Sequence, residues 1–185
     1  MAIRYLNPSG IITNNNWDSS TLADLAQGET ANTWQTTAND ADLIVTLIDF
    51  DSAGVASITS VQLIIYGNYD ARSGAWTART YITNASATEY YNEALAIPAG
   101  RTPSTVTGTV RTTSDGSTAW TDSNLDGMKL EVTSPDCTTL GQLIQFYIKV
   151  VYTTGYGNTV NGIAPARIGK INGVAIADIS KVNGI

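Results

Sequence analysis

No stretch of this chain keeps a helical period over three turns; apolar and polar residues alternate in one run after another. Val61, Leu63 and Ile65 interleave with Gln62, Ile64 and Tyr66. Trp76, Ala78, Thr80 and Ile82 interleave with Thr77, Arg79 and Tyr81, and Met128, Leu130 and Val132 with Lys129, Glu131 and Thr133. In residues 143–152, Ile144, Phe146, Ile148, Val150 and Tyr152 share one parity and Gln145, Tyr147, Lys149 and Val151 the other. Successive side chains of a strand point to opposite faces, so this pattern predicts half-buried strands. Residues 43–50 form a more continuous apolar run, which predicts a strand covered on both faces. Further strands are expected within 31–36, 89–97 and 104–112. Residues 19–27 fit a short helix, capped by Ser19 or Ser20 and stopped by Gly28, and fit a turn nearly as well.

Turn signals fall between these runs: Asn7-Pro8-Ser9-Gly10, Ser52-Ala53-Gly54, Arg72-Ser73-Gly74, Pro98-Ala99-Gly100, Ser114-Asp115-Gly116 and Asp126-Gly127. Short strands with turns every 8–12 residues predict an all-β, antiparallel two-sheet sandwich of jelly-roll type. Composition agrees. Only 14% of residues are charged, against about 25% in an average globular protein. Thr, Ser, Asn and Gly supply the polarity, which favours strands and turns. The sandwich is expected to occupy residues 1–155, with Gly155-Tyr156-Gly157-Asn158 as the hinge into a separate segment, 156–185.

That segment repeats itself. From Val160 it reads V-N-G-I-A-P-A-R-I-G-K, then I-N-G-V-A-I-A-D-I-S-K, then V-N-G-I, with Asn-Gly at 161–162, 172–173 and 183–184. Asn-Gly is a strong hairpin signal, because both residues tolerate the positive φ of a tight turn. The legs between the turns have no cleanly polar face, and an isolated hairpin is marginal in water. The segment is therefore expected to be an interaction tail that packs on a neighbouring subunit. Its contacts are assigned to Ile168, Ile171, Asn172, Gly173, Ile176, Ile179, Asn183, Gly184 and Ile185. The apolar spacing, often three, fits neither an amphipathic helix nor a simple strand, and the tail's conformation stays open at this level.

The net charge of −6, without a Lys/Arg run, argues against a nucleic-acid partner, since phosphate neutralisation supplies most non-specific affinity. No apolar run is long enough to span a membrane as a helix, and the first residues lack a signal-peptide core; no membrane partner and synthesis in a cytoplasm are expected. Cys137 is the only cysteine, so no internal disulfide forms. The absence of histidine removes the usual triads and most zinc or iron sites. The aspartate pairs Asp40/Asp42, Asp49/Asp51 and Asp122/Asp126 suit glycosidic chemistry or calcium in principle, but loop aspartates are more often turn formers. The expectation is a chain that is no enzyme and carries no cofactor. Trp34 and Trp76 lie in strands and are assigned to the core. Trp17 and Trp120, in turn-rich settings, are candidates for a surface contact with protein or sugar, together with one of Tyr90 and Tyr91.

The order of a short N-terminal stretch with Trp17, an apolar strand, Asp49-Phe50-Asp51, a small-residue loop and I-T-S-V-Q-L-I-I-Y (58–66) resembles jelly-roll structural proteins of tailed bacteriophage virions. The ending K-I-N-G-V-A-I-A-D-I-S-K-V-N-G-I is similar to the Lys-x-Asn-Gly endings of phage virion and fibre proteins. The resemblance implies a virion component assembled in the host cytoplasm: a capsid decoration (cement) protein, or a neck or tail appendage. It implies a homo-oligomer, a trimer in the decoration case, that contacts other virion proteins such as the major capsid protein. The alternative is a glycan-binding module for host attachment that uses exposed aromatics.

Overall fold

The computed structural model describes residues 1–18, 22–28, 34–35, 41–69, 76–83, 88–95, 102–134, 141–155, 170–171 and 174–175. The chain is all-β, built on two antiparallel sheets. One contains β1 (Ala2–Leu6), β10 (Gly141–Thr154), β5 (Val55–Tyr69) and β8 (Ser104–Thr107) in that order, with β3 (Trp34–Gln35) pairing the start of β10. The other runs β2 (Pro8–Asn15), β4 (Ala41–Leu47), β9 (Lys129–Ser134), β6 (Trp76–Thr83) and β7 (Thr88–Leu95). Only Asn7 separates β1 from β2, so the chain passes from one sheet to the other at a single residue. Asn7 holds that corner with two acceptors: its carbonyl accepts from the Ile48 N–H at 3.0 Å and its Oδ1 from the Gln27 N–H at 2.9 Å.

The facing sides of the sheets make one core. Val61, Leu63 and Ile65 of β5 and Phe146, Ile148, Val150 and Tyr152 of β10 meet Leu43, Val45 and Leu47 of β4 and Leu130 and Val132 of β9. These are the parities read from the alternation. The phase shifts at the start of β10. Leu143 pairs with Gly67 but Gln145 with Tyr66, so Ile144 is the extra residue of a β-bulge. The bulge puts Leu143, not Ile144, into the core cluster. Gly67 opposite is required there, because a Cβ on it would run into the Gln142 carbonyl oxygen.

Other expectations are corrected. β4 is not sealed on both faces: Ile44 is half-buried, and Ile48, just beyond the strand, is 42% exposed. β1 and β2 gave no sequence signal. β1 is short, and β2 carries bulges at Ser9 and Ile12 that break its period of two. Residues 22–25 form one 3-10 turn that buries Leu25, and Gly28 follows at φ +89°. The expected strand at 104–112 ends at Thr107, although Arg111 still bridges Val61.

A second short helix, α1 (Asp122–Leu125), stands between β8 and β9. Thr121 caps it: its Oγ1 accepts from the Asn124 N–H, and the Asn124 side chain accepts from the Thr121 N–H. Just before it, residues 113–119 form a tight turn around Asp115. One Asp115 oxygen accepts from the N–H groups of Ser117 and Thr118 at 2.8 and 2.6 Å, and the other from the Thr118 hydroxyl. Gly116 supplies the positive φ of the turn.

This geometry makes two outcomes measurable. In urea titrations, Gly67→Ala lowers stability by about 2 kcal/mol, the range of an overpacked site. Gly54→Ala, at φ +74° with open space around it, costs only about 1 kcal/mol. The backbone N–H bonds from Thr118 and Ser117 hold the Asp115 carboxyl well below the usual carboxylate range. Its contribution to the turn is thus fully present above about pH 4, the unfolded-state value, and is lost as pH falls through the lowered folded-state value. NMR titration is expected to find Asp115 still ionised at pH 3.

Candidate functional site

The tail contributes β11 (Lys170–Ile171) and β12 (Val174–Ala175), which pair antiparallel with Lys170 opposite Ala175 and Ile171 opposite Val174. That register leaves two residues between the strands, Asn172 and Gly173, in the number a tight hairpin loop takes. Among the described residues β11 and β12 pair only with each other. Of the contacts assigned from sequence, Ile171 lies in β11. Ile168, Asn172, Gly173, Ile176, Ile179, Asn183, Gly184 and Ile185 lie outside the described residues, as do Cys137 and Asp40.

The aromatic candidates are placed differently from expectation. Trp17 and Trp120 are each 5% exposed and belong to the core cluster, so neither presents an open ring face to solvent as expected. Asn16, at φ 60°, turns the chain just before Trp17. The Trp120 indole N–H donates to the Arg111 carbonyl at 3.0 Å, which satisfies its polar end inside the fold. Tyr90 and Tyr91 stand opposite Tyr81 and Thr80 in the β6–β7 pair; their side chains lie outside the described residues.

One end of the sandwich gathers chemistry that the sequence did not reveal. The Arg4 guanidinium lies 5.3 Å from the Phe50 ring centre and 5.6 Å from that of Tyr152. The two rings meet edge to face at 5.9 Å. Arg4 also approaches Asp51 at 3.5 Å. The Phe50 N–H donates to Asp126 Oδ1 at 3.0 Å, which ties the 49–51 loop to the end of α1. Beside this junction is a cleft of about 240 Å³. Phe50, Val55, Ile58 and Trp120 line it with apolar surface, and Ser52 and Asp122 are among its polar groups. Asp49, Asp51, Asp122 and Asp126 are all exposed around this end. β10 also finishes here, with the Gly155 N–H donating to the Gly54 carbonyl at 2.9 Å. The tail therefore leaves the sandwich next to the cleft. Among the described residues no group of three or more acids or thiols is arranged to hold a metal, and no helix is long and apolar enough to cross a membrane.

No protein-family model matches the chain, and no curated protein does. Among solved structures it is similar to the enzymatically active domain of tailspike protein 4 from bacteriophage CBA120. The identity is 11% and the TM-score 0.41, and the match covers 81% of this chain and 19% of that one. A likeness of this size transfers no residue role and no activity. It does overturn one expectation. The sequence reading set catalysis aside, yet the similar structure is described as an enzymatically active domain. The physical reason is that a missing histidine removes triads without removing carboxylate chemistry. The junction itself can be tested. Asp126→Ala removes the acceptor of the Phe50 N–H and is expected to cost about 2 kcal/mol in denaturant unfolding; Asp126→Asn keeps an oxygen there and costs less.

Proposed function

We propose that this chain is a component of a bacteriophage virion, assembled in the host cytoplasm, whose sandwich body is joined to its neighbours by the repeat tail. The observation that carries this reading is the tail hairpin. Its sequence has no polar face to turn to water, and its described strands pair with neither sheet of the body. A two-stranded ribbon of that kind needs cover from another surface. The resemblance of the Lys-x-Asn-Gly ending to phage virion and fibre proteins points to other copies of the chain, or to other virion proteins such as the major capsid protein. A place on the capsid as a decoration protein and a place on the neck or tail both fit this reading. The strand order supports a jelly-roll reading of the body. β1, β10, β5 and β8 face β4, β9, β6 and β7; successive strands of the body change sheet at every step except β6 to β7, which form a hairpin in one sheet, and β2 is an added edge strand. The glycan-binding alternative loses its two leading candidates, because Trp17 and Trp120 are buried.

The test is the solution mass of the full chain against a version ending at Thr159. The full chain is expected to be a stable oligomer, a trimer in the decoration case, and the shortened chain a folded monomer. The same oligomer from both would place the contacts in the sandwich and overturn the proposed role of the tail.

A further inference from the structure

The cleft at the tail-exit end combines an apolar interior with one carboxylate on its border, Asp122, and the tail carries the complementary pattern. Residues 156–185 hold Arg167, Lys170 and Lys181 against Asp178 alone, in a chain of net charge −6. Residues 1–155 therefore carry the entire acid excess. Asp122 lines the cleft, and Asp49, Asp51 and Asp126 are exposed on the neighbouring loop and helix end, where Asp51 engages Arg4. Each full repeat also contains Ile-x-Lys: Ile168 with Lys170, and Ile179 with Lys181. Residues two apart share a face of an extended strand. In an extended segment each Ile-x-Lys pair would present a branched apolar side chain and a cation side by side. The cleft presents Val55, Ile58 and Trp120 beside the Asp122 carboxylate.

We infer that this cleft is the seat of the tail of a second copy, with an isoleucine of the Ile-x-Lys pair filling the apolar interior and the lysine meeting Asp122. The inference rests on the proposed docking of the tail on neighbours and adds the place where it docks. Gly155 adjoins Gly54 and Ala56, so every subunit launches its own tail beside the cleft that receives another's. The long lysine stem covers apolar surface while its ammonium group stays at the wet border. The paired charges set partner choice more than raw affinity.

The experiment uses the full chain. Light scattering over a dilution series gives the dissociation constant of the wild type and of three variants. Ala56→Trp fills the cleft from an exposed position on its border, Asp122→Lys reverses its charge, and Lys170→Glu with Lys181→Glu reverses the tail. Circular dichroism checks that each keeps the wild-type strand content. Each variant is expected to dissociate about tenfold more readily, because like charges placed face to face and a blocked pocket both oppose docking. Combining Asp122→Lys with the two tail changes is expected to recover most of the loss, and this rescue decides the matter even if Ala56→Trp fails to fold. If the tail variant weakens assembly while the cleft variants do not, or if the combination recovers nothing, the tail sits elsewhere; the inference then fails and the proposed docking stands. A monomeric wild type, or an assembly indifferent to the tail changes, overturns this inference; the proposed docking is then judged by the version ending at Thr159 and falls with it only if that version forms the same oligomer.

Discussion

The pairing of β5 with β10 is the contact on which the rest of the body is assembled. These are the longest strands of the fold, and they run antiparallel from Gly141 opposite Tyr69 to Thr154 opposite Val55. β1 and β3 attach to the free side of β10, and β8 to the free side of β5. Their inward residues, from Val61 and Phe146 to Tyr152, supply most of one wall of the core, with Leu6 of β1 and Val106 of β8 at its sides. Burial of each such aliphatic or aromatic side chain contributes about 1.5–3 kcal/mol relative to exposure, so the pair holds a large share of what stabilises the sandwich. Its bulges are equally consequential. The one at Ile144 changes which residues face inward. Two further irregularities near Thr59 and Ala56 shape the end where the cleft and the tail exit are found.

Where the sequence was legible, it was so because one face of a regular strand is dry. Leu130 and Val132 of β9, and Phe146, Ile148 and Val150 of β10, could be assigned from alternation alone. The reading fails where the backbone changes phase. Nothing in Gly-Gln-Leu-Ile announces the bulge that buries Leu143 with the core, and the one trace of it, Gly67, lies far away in sequence. The same holds for β2, in which Ser9 and Ile12 are extra residues. Turn composition misled in the case of the tryptophans. Trp17 follows a left-handed Asn16, and Trp120 satisfies its indole N–H on the Arg111 carbonyl, so a turn-rich setting led inward in both cases.

The site was less legible than the fold. Arg4, Phe50, Tyr152 and Asp126 come from four separate stretches of the chain and meet only through sheet topology. A local signal did exist for α1. Thr121-Asp122-Ser123-Asn124 is a helix start, with a capping threonine and a polar residue three positions on. That would have placed Asp122 on a fixed element instead of in a loop. The Asn-Gly repeat was the opposite case. Its local chemistry specified a tight loop, and the pairing of Ile171 with Val174 has the spacing such a loop needs.

The antiparallel register of β1 on β10 also has a mechanical consequence. Ala2 lies opposite Tyr152, so the beginning of β1 and the end of β10 sit at the same end of the sandwich. Tension applied between the first residues and the tail would load this ladder like a zipper. Its rungs, which lie perpendicular to the strands, would break in succession from Ala2 towards Leu6. The peeling would stop at Asn7, where the chain crosses to the other sheet and is held by Ile48 and Gln27. The corner thus acts as a mechanical stop: a short strand yields at low force while the two-layered body behind it remains intact.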